Sequence, residues 1–380
     1  MTMPRPAAGM RRVKFSTELE QEFIKELKQR VHSYFEARGI SEKADARMVF
    51  KTIVMLLLTF GSYLLIMMGG FPAFVMLGLA VVMGIGMAGC GFAIAHDALH
   101  GGYSSNRRVN AALGMTFDLL GANGYLWKIT HNVIHHTYTN IQGIDEDLEV
   151  SPLLRLSPTS EYKPIHRLQH WYAIAAYSMS TLFWVFVKDY KYMLQRDLGP
   201  YQDIRHPRWE VANLLVMKVV YYSYTIVLPL LLLDIAFWQF VIGYLAMHLT
   251  AGVILGVVFQ LAHVVEGPTH LPAAGNEIVE DTWLVHEMKT TADFGRGNRL
   301  LCWYVGGLNF QVEHHLFPRI CSIHYPAISP IVEEVAKKYG IPFHSHPTFR
   351  AAIASHLRLL RQLGRPENPL ALHPVEALAR

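Results

Sequence analysis

Four stretches of this chain are long, apolar and almost free of charge, and few folds can accommodate them. From Thr52 to Met68 (TIVMLLLTFGSYLLIMM) there is no charged side chain, and there is none from Phe71 to Ala95. Leu214–Leu233 carries only Lys218, and Ile235–Ala262 carries no charge at all. A hydrocarbon core about 30 Å thick is crossed by about 20 apolar residues wound as a helix, so each stretch predicts one span. The expected fold class is an all-α integral membrane protein with spans at about 52–69, 72–95, 213–233 and 235–262. Composition agrees: 52% of residues are hydrophobic and 17% charged, against about a quarter charged in soluble domains.

Gly69-Gly70-Phe71-Pro72 closes one hairpin of spans and Asp234 the other. The three polar segments, 1–51, 96–213 and 263–380, are then expected on one face of the membrane. Arg11, Arg12, Lys14, Lys25 and Lys28 assign that face, with both termini, to the cytoplasm by the positive-inside rule. The first apolar run begins too late for a cleaved signal peptide. Cys90, Cys302 and Cys321 show no paired spacing, which fits a reducing compartment. No basic run interleaved with aromatics points to nucleic acid.

Three domains are expected: an N-terminal amphipathic segment (1–51), a membrane domain (52–330) and a C-terminal cytosolic segment (331–380). In the first, Thr17 and Glu20 suggest a capping box, and Phe23, Leu27, Val31 and Phe35 fall on one helical face. That face suits either the membrane surface or a cytosolic cap. Residues 109–127 and 171–187 are apolar enough to span alone. Adding just one of them would put the histidine clusters on opposite sides, so both are expected at the interface.

The chain has 20 histidines, and three clusters stand out. HDALH holds His96 and His100; HNVIHH holds His131, His135 and His136; QVEHH holds Gln311, His314 and His315. Residues three or four apart share a helix face, so each cluster presents imidazoles to one side. Neutral imidazole suits iron, zinc, copper or nickel. Seven histidines exceed what one tetrahedral zinc takes, and calcium or magnesium would want oxygen ligands. Two iron ions with positions open for dioxygen fit best. The site lies where membrane helices end, so an acyl chain is the natural substrate.

The three boxes HDALH, HNVIHH and QVEHHLFP, in this order after their hydrophobic segments, resemble the membrane-bound fatty acid desaturases over roughly residues 50–330. The resemblance implies four transmembrane helices under a helical cytosolic cap holding a histidine-ligated di-iron centre. It implies a reaction in which dioxygen and two electrons convert a methylene pair to a double bond. Gln311 at the head of the third box matches the front-end type, which desaturates on the carboxyl side of an existing double bond. His263, in FQLAHVVEG, matches a further ligand of the family; where some relatives carry Asn four residues earlier, this chain has Phe259. No HPGG haem motif is present, since His206-Pro207 is followed by Arg208-Trp209. Electrons are therefore expected from a separate protein, such as ferredoxin or cytochrome b5 with its reductase. The substrate is expected to be an acyl-lipid or acyl-thioester.

Around these ligands, Asp97, Glu313 and His286 are candidates to orient imidazoles, and Trp127, Trp303, Tyr304 and Phe310 to line an acyl tunnel. Most of Asp145-Glu146-Asp147 is expected in a solvated loop, His248 in a structural role, and His166, His206, His324, His344, His346 and His373 at the surface. Two alternatives share these features: a di-iron lipid hydroxylase or ketolase, and a metal-binding transporter. Transport would need polar groups aligned through the spans, where only His248 and Lys218 qualify.

Overall fold

The computed structural model describes residues 13–17, 20–148, 151–272 and 278–366; Arg11, Arg12 and His373 lie outside them. Helix α1 (Gln21–Arg38) leads into α2 (Ala46–Met68) and α3 (Ala73–His100). Then come α4 (Arg107–Leu119), α5 (residues 124–138), a broken helix α6 (residues 169–194), α7 (Arg208–Leu232) and α8 (Phe237–His263). Helices α9 (Trp283–Thr290), α10 (Arg299–Tyr304), α11 (Gln311–Leu316), α12 (Tyr325–Tyr339) and α13 (Phe349–Leu363) follow. Two short parallel pairs tie distant segments: β1 (Lys14–Phe15) to β2 (Ile278–Val279), and β3 (Ala292–Phe294) to β4 (His344–His346).

Among the described residues, four helices are long and apolar enough to cross a membrane: α2, α3, α7 and α8. Gly69 and Gly70, both at positive φ, make the turn between α2 and α3. Helix α2 starts at Ala46, earlier than the uncharged run, because Asp45 caps it by accepting from the backbone N–H groups of Arg47 and Met48. The first span therefore carries Lys51 inside the helix. The Thr17–Glu20 capping box does not form: Glu20 turns its carboxylate to the backbone and hydroxyl of Thr282.

At the end of the stalk away from the turns sits a helical cap. Phe23, Leu27, Val31 and Phe35 of α1 are buried against Tyr325, Ile328, Val332 and Val335 of α12 and against α9 and α11. Their burial contributes about 1.5–3 kcal/mol each, and it settles the amphipathic face as a packing face of the cap. Helix α13 closes the other side, packing Ala352 on α8 and β3. His166 and His324 are buried, contrary to a surface placement: each ring donates or accepts at backbone groups of Pro152, Lys163 or Lys43.

The two polar residues that the sequence singled out inside the spans, His248 and Lys218, are locked. His248 lies between the hydroxyls of Tyr221 (2.8 Å) and Thr181 (3.1 Å). Lys218 pairs with Asp189 of α6 at 2.8 Å and donates to the carbonyls of Gly121 and Val185. Replacing Lys218 by Met leaves Asp189 buried without its cation, which costs about 3–5 kcal/mol. The expected result is a thermal midpoint well below wild type, largely restored when Asp189 is also made Asn.

Candidate metal centre

Each histidine box sits at a place where the backbone is constrained. Helix α3 ends on Gly101, whose left-handed φ of 74° no other residue adopts cheaply; this fixes His96 and His100 on its last turn. In α5, residues Lys128–His135 are wound with i→i+5 hydrogen bonds, so His131 and His135 come almost into register and their rings stack 5.0 Å apart. Gly306 and Gly307, both at positive φ, fold the approach to α11 onto Phe92 and Ser322, where a Cβ would lie within 3 Å of backbone oxygens. That turn brings the third box against the first. His263 is the last residue of α8.

These elements converge eight imidazoles. His96, His100, His131 and His314 form one group whose ring nitrogens lie within 4.8 Å of one another, and His135, His263 and His315 form a second. His136 joins His314 and His315 in a third; its ring centroid is 4.3 Å from His315, 4.6 Å from His314 and 4.7 Å from His100.

The hydrogen bonds of these rings have a direction. Nδ1 of His131 faces Asp147 (2.9 Å), that of His135 faces Asp145 (3.0 Å), and that of His315 faces Glu287 (2.6 Å). His263 Nδ1 lies 3.3 Å from the Thr290 carbonyl and His314 Nδ1 3.3 Å from the Tyr325 hydroxyl. The opposite nitrogens, Nε2 of His131, His135, His263, His314 and His315, are buried without a partner, as are both nitrogens of His136. A buried polar atom left bare is costly. A ring whose Nδ1–H is held by an acceptor aims a lone pair from Nε2, the geometry of a metal ligand. The donor set is neutral nitrogen, in groups of three and four, and it fits two transition-metal ions.

Charge agrees with that state. Burial pushes His131, His136, His314 and His315 well below the ordinary 6.5, and the neighbouring imidazoles add to it. In His135 burial opposes charging, but the Asp145 carboxylate outweighs it and the pKa rises. The four depressed groups contribute stability that is present above about pH 6.5 and is lost as pH falls, because the unfolded chain takes up their protons first. His135 works the other way, adding stability below its unfolded value that is lost as pH rises through its folded one. Four outweigh one. The thermal midpoint of the metal-free protein is therefore expected to drop between about pH 7.5 and pH 5.5, a trend differential scanning fluorimetry in detergent would read.

The surrounding candidates are placed differently from one another. Gln311 opens α11 one turn ahead of His314 and His315, is buried, and its amide makes no hydrogen bond among the described residues. Trp127 stacks on His131, ring centroids 4.4 Å apart, and flanks His96 and His100. Trp303 and Tyr304 pack on the stalk beside Met55, Cys90 and Ile94. Phe310 is turned into the cap core against α1 and α12 instead. Asp97 accepts from the N–H and hydroxyl of Ser322 and from Cys321 Sγ, pinning the segment after the third box, and stays 3.7 Å from His96 Nδ1. Glu313 makes no hydrogen bond to any imidazole among the described residues; the groups acting on it electrostatically are Ser329, Asp293 and Arg296. His286 holds the Thr139 carbonyl at 2.9 Å and touches none of the eight rings. Phe259 is set among the ligands, 5.3 Å from both His135 and His263.

The acceptors that do orient the rings are Asp145, Asp147 and Glu287. Asp145 and Asp147 are buried, not in a solvated loop, and Glu146 between them binds the Gly199 N–H and the Tyr192 hydroxyl. Their signal was an acidic run soon after the second box. Glu287 is the neighbour of His286, the residue that the sequence singled out one position away.

Comparison with known proteins agrees with this geometry. The profile of the fatty acid desaturase family matches residues 71–347. The chain is 38% identical to the sn-1 linoleoyl-lipid 6-desaturase of Arthrospira platensis, covering 90% of this chain and 92% of that protein. It is 36% identical to the sn-1 linoleoyl-lipid 6-desaturase of Synechocystis sp. (strain ATCC 27184 / PCC 6803 / Kazusa), over 93% and 98%. To the acyl-lipid (8-3)-desaturase of Physcomitrium patens it is 33% identical, over 91% and 72%. With the three boxes assembled into one buried imidazole cluster at the end of an apolar stalk, the chain belongs to the fatty acid desaturase family, oxidoreductases that place double bonds in acyl chains.

Proposed function

We propose that the chain desaturates an acyl group of a membrane lipid on the carboxyl side of an existing double bond, with two iron ions held by His96, His100, His131, His135, His136, His263, His314 and His315. The observation that carries this reading is the convergence of partnerless ring nitrogens at the cap end of the stalk, where a lipid tail can reach them. Gln311 supports the front-end assignment, and its neutral amide oxygen is a weaker donor to the same centre. The names of the relatives favour an acyl-lipid over a thioester. Bound iron supplies the redox chemistry with dioxygen. The balance is one methylene pair, one dioxygen, two electrons and two protons giving one double bond and two waters.

The chain's own residues position and insulate. Asp145, Asp147 and Glu287 fix ring tautomers; Phe259 and Trp127 wall the centre with aromatic faces and keep water out. Trp127, Trp303 and Tyr304 guide the chain's methylenes past it. Electrons come from a separate carrier such as ferredoxin or cytochrome b5, and the cap faces the cytoplasm. The locked states of His248 and Lys218 argue against ion transport. The test is expression in a host fed linoleate, with product positions read by mass spectrometry. A new double bond nearer the carboxyl end is expected; a hydroxylated product would move the reading to a hydroxylase.

A further inference from the structure

Lys51 begins as an anomaly of the sequence. It stands directly before the uncharged run, where a lysine ordinarily extends its ammonium to water. In the fold it is 3% exposed. Its ammonium makes no hydrogen bond and no ion pair with any described residue, and the side chain around it is buried. The groups acting on it electrostatically are Asp97, Cys302 and Cys321, with Arg47 one turn back on its own helix. Asp97 is already engaged by Ser322 and Cys321. The hydroxyl of Thr52, next along, is taken by Tyr103 at 2.8 Å and by the Met48 carbonyl. Among the described residues, none pairs with the Lys51 ammonium.

The surroundings say what would. Met55, one turn on from Lys51, belongs to an apolar cluster with Cys90, Ile94 and Leu120, against which Trp303 and Tyr304 pack. Ile94 lies two residues before His96. A packed apolar cluster thus joins the helix turn beside Lys51 to the root of the first histidine box. On the outer side, α10 presents Leu300 to the surroundings at 75% exposed, as a helix resting on lipid would.

We propose that Lys51 grips the oxygen-bearing head end of the acyl lipid, through the ester carbonyl or an adjacent phosphate, and so sets which methylene pair meets the metal centre. This rests on the acyl-lipid reading above. A desaturase that counts from the carboxyl end needs a polar anchor at fixed distance from its oxidant, and an unpaired cation near the first box supplies one.

The test uses the full chain, iron-loaded in a linoleate-fed host, as wild type, Lys51→Met and Lys51→Arg. Iron per chain, conversion in each lipid class and double-bond position are measured. Loss of one hydrogen bond to a charged group predicts about a tenfold to hundredfold fall in conversion for Lys51→Met, at wild-type iron, with the residual double bonds spread over neighbouring positions. Lys51→Arg is expected to keep the single position and most of the yield. A fall equal across lipid classes assigns the ester carbonyl; a fall confined to phospholipids assigns the phosphate. Unchanged position and yield in Lys51→Met, or lost activity in both variants, overturns the proposal. A wild type that makes no acyl double bond overturns the functional reading as well, whereas a working wild type beside an indistinguishable Lys51→Met overturns only the role of Lys51.

Discussion

Replacing His136 by Ala is expected to lower desaturation below about one hundredth of wild type and to cut the iron bound per chain by half or more. The bound comes from comparison: losing even a neighbour that merely orients a ligand costs 10–100-fold in metal affinity or activity, and His136 contributes the donor itself. Its position makes the effect larger than for other boxes. The ring sits between the two main groups, within 5 Å of His100, His131, His314 and His315, centroid to centroid, and neither nitrogen has a protein partner. Removing it takes a ligand from the junction of both sites. His96→Ala, at the far end of the first group, is expected to spare the group of His135, His263 and His315. The control is His248→Ala, another buried imidazole, held by Tyr221 and Thr181, which should lower stability but leave the iron content alone. Elemental analysis beside the acyl profile separates the cases. Equal iron in His136→Ala and wild type would remove His136 from the ligand set.

How much of this centre was legible beforehand depends on how local each signal is. The boxes are local: spacing along one helix puts His96 with His100 and His131 with His135, and spacing survives in a sequence. The four spans were equally plain, because a lack of charge over a long run has few causes. The partners of the Nδ1 atoms were not legible. Glu287 reaches His315 only because α9 and α11 pack side by side in the cap core, and a carboxylate in WLVHEMKT looks like any solvated one. Proximity in sequence misled in the opposite direction: Asp97 and Glu313 adjoin ligands, yet a helix turns adjacent residues to different faces, so they serve Ser322 and the Asp293 pair. Phe310, just ahead of α11, is turned into the cap core instead. The π-wound turn of α5 was beyond periodicity altogether, since it changes the period. Lys51 was passed over because the helix was read from the uncharged run, and the cap of Asp45 started it earlier.

Glu287→Gln tests the part of the centre that only the structure revealed, and its effect is expected to rival that of a ligand. The Glu287 carboxylate lies 2.6 Å from His315 Nδ1 and accepts from the Thr139 hydroxyl at 2.9 Å. As an acceptor it holds the proton on Nδ1 and leaves the Nε2 lone pair free. Glutamine keeps the shape but can turn its amide N–H₂ toward Nδ1, which then becomes the acceptor; the proton moves to Nε2 and closes the ring to metal. Burial pushes the Glu287 pKa above the ordinary carboxyl value, and a cation bound at His315 would favour its ionised form. The variant cannot respond this way. A 10–100-fold loss in metal affinity is therefore expected, confined to the group of His135, His263 and His315, with the helical content and the group of His96, His100 and His131 unchanged. Glu313→Gln is the discriminating companion. Its carboxyl is as buried as that of Glu287 and is raised by burial, but its neighbour is Asp293, to which an amide can donate. If burial alone governed the outcome, the two variants would lose iron alike. If the orientation of His315 governs it, Glu313→Gln keeps both metal ions and Glu287→Gln keeps one.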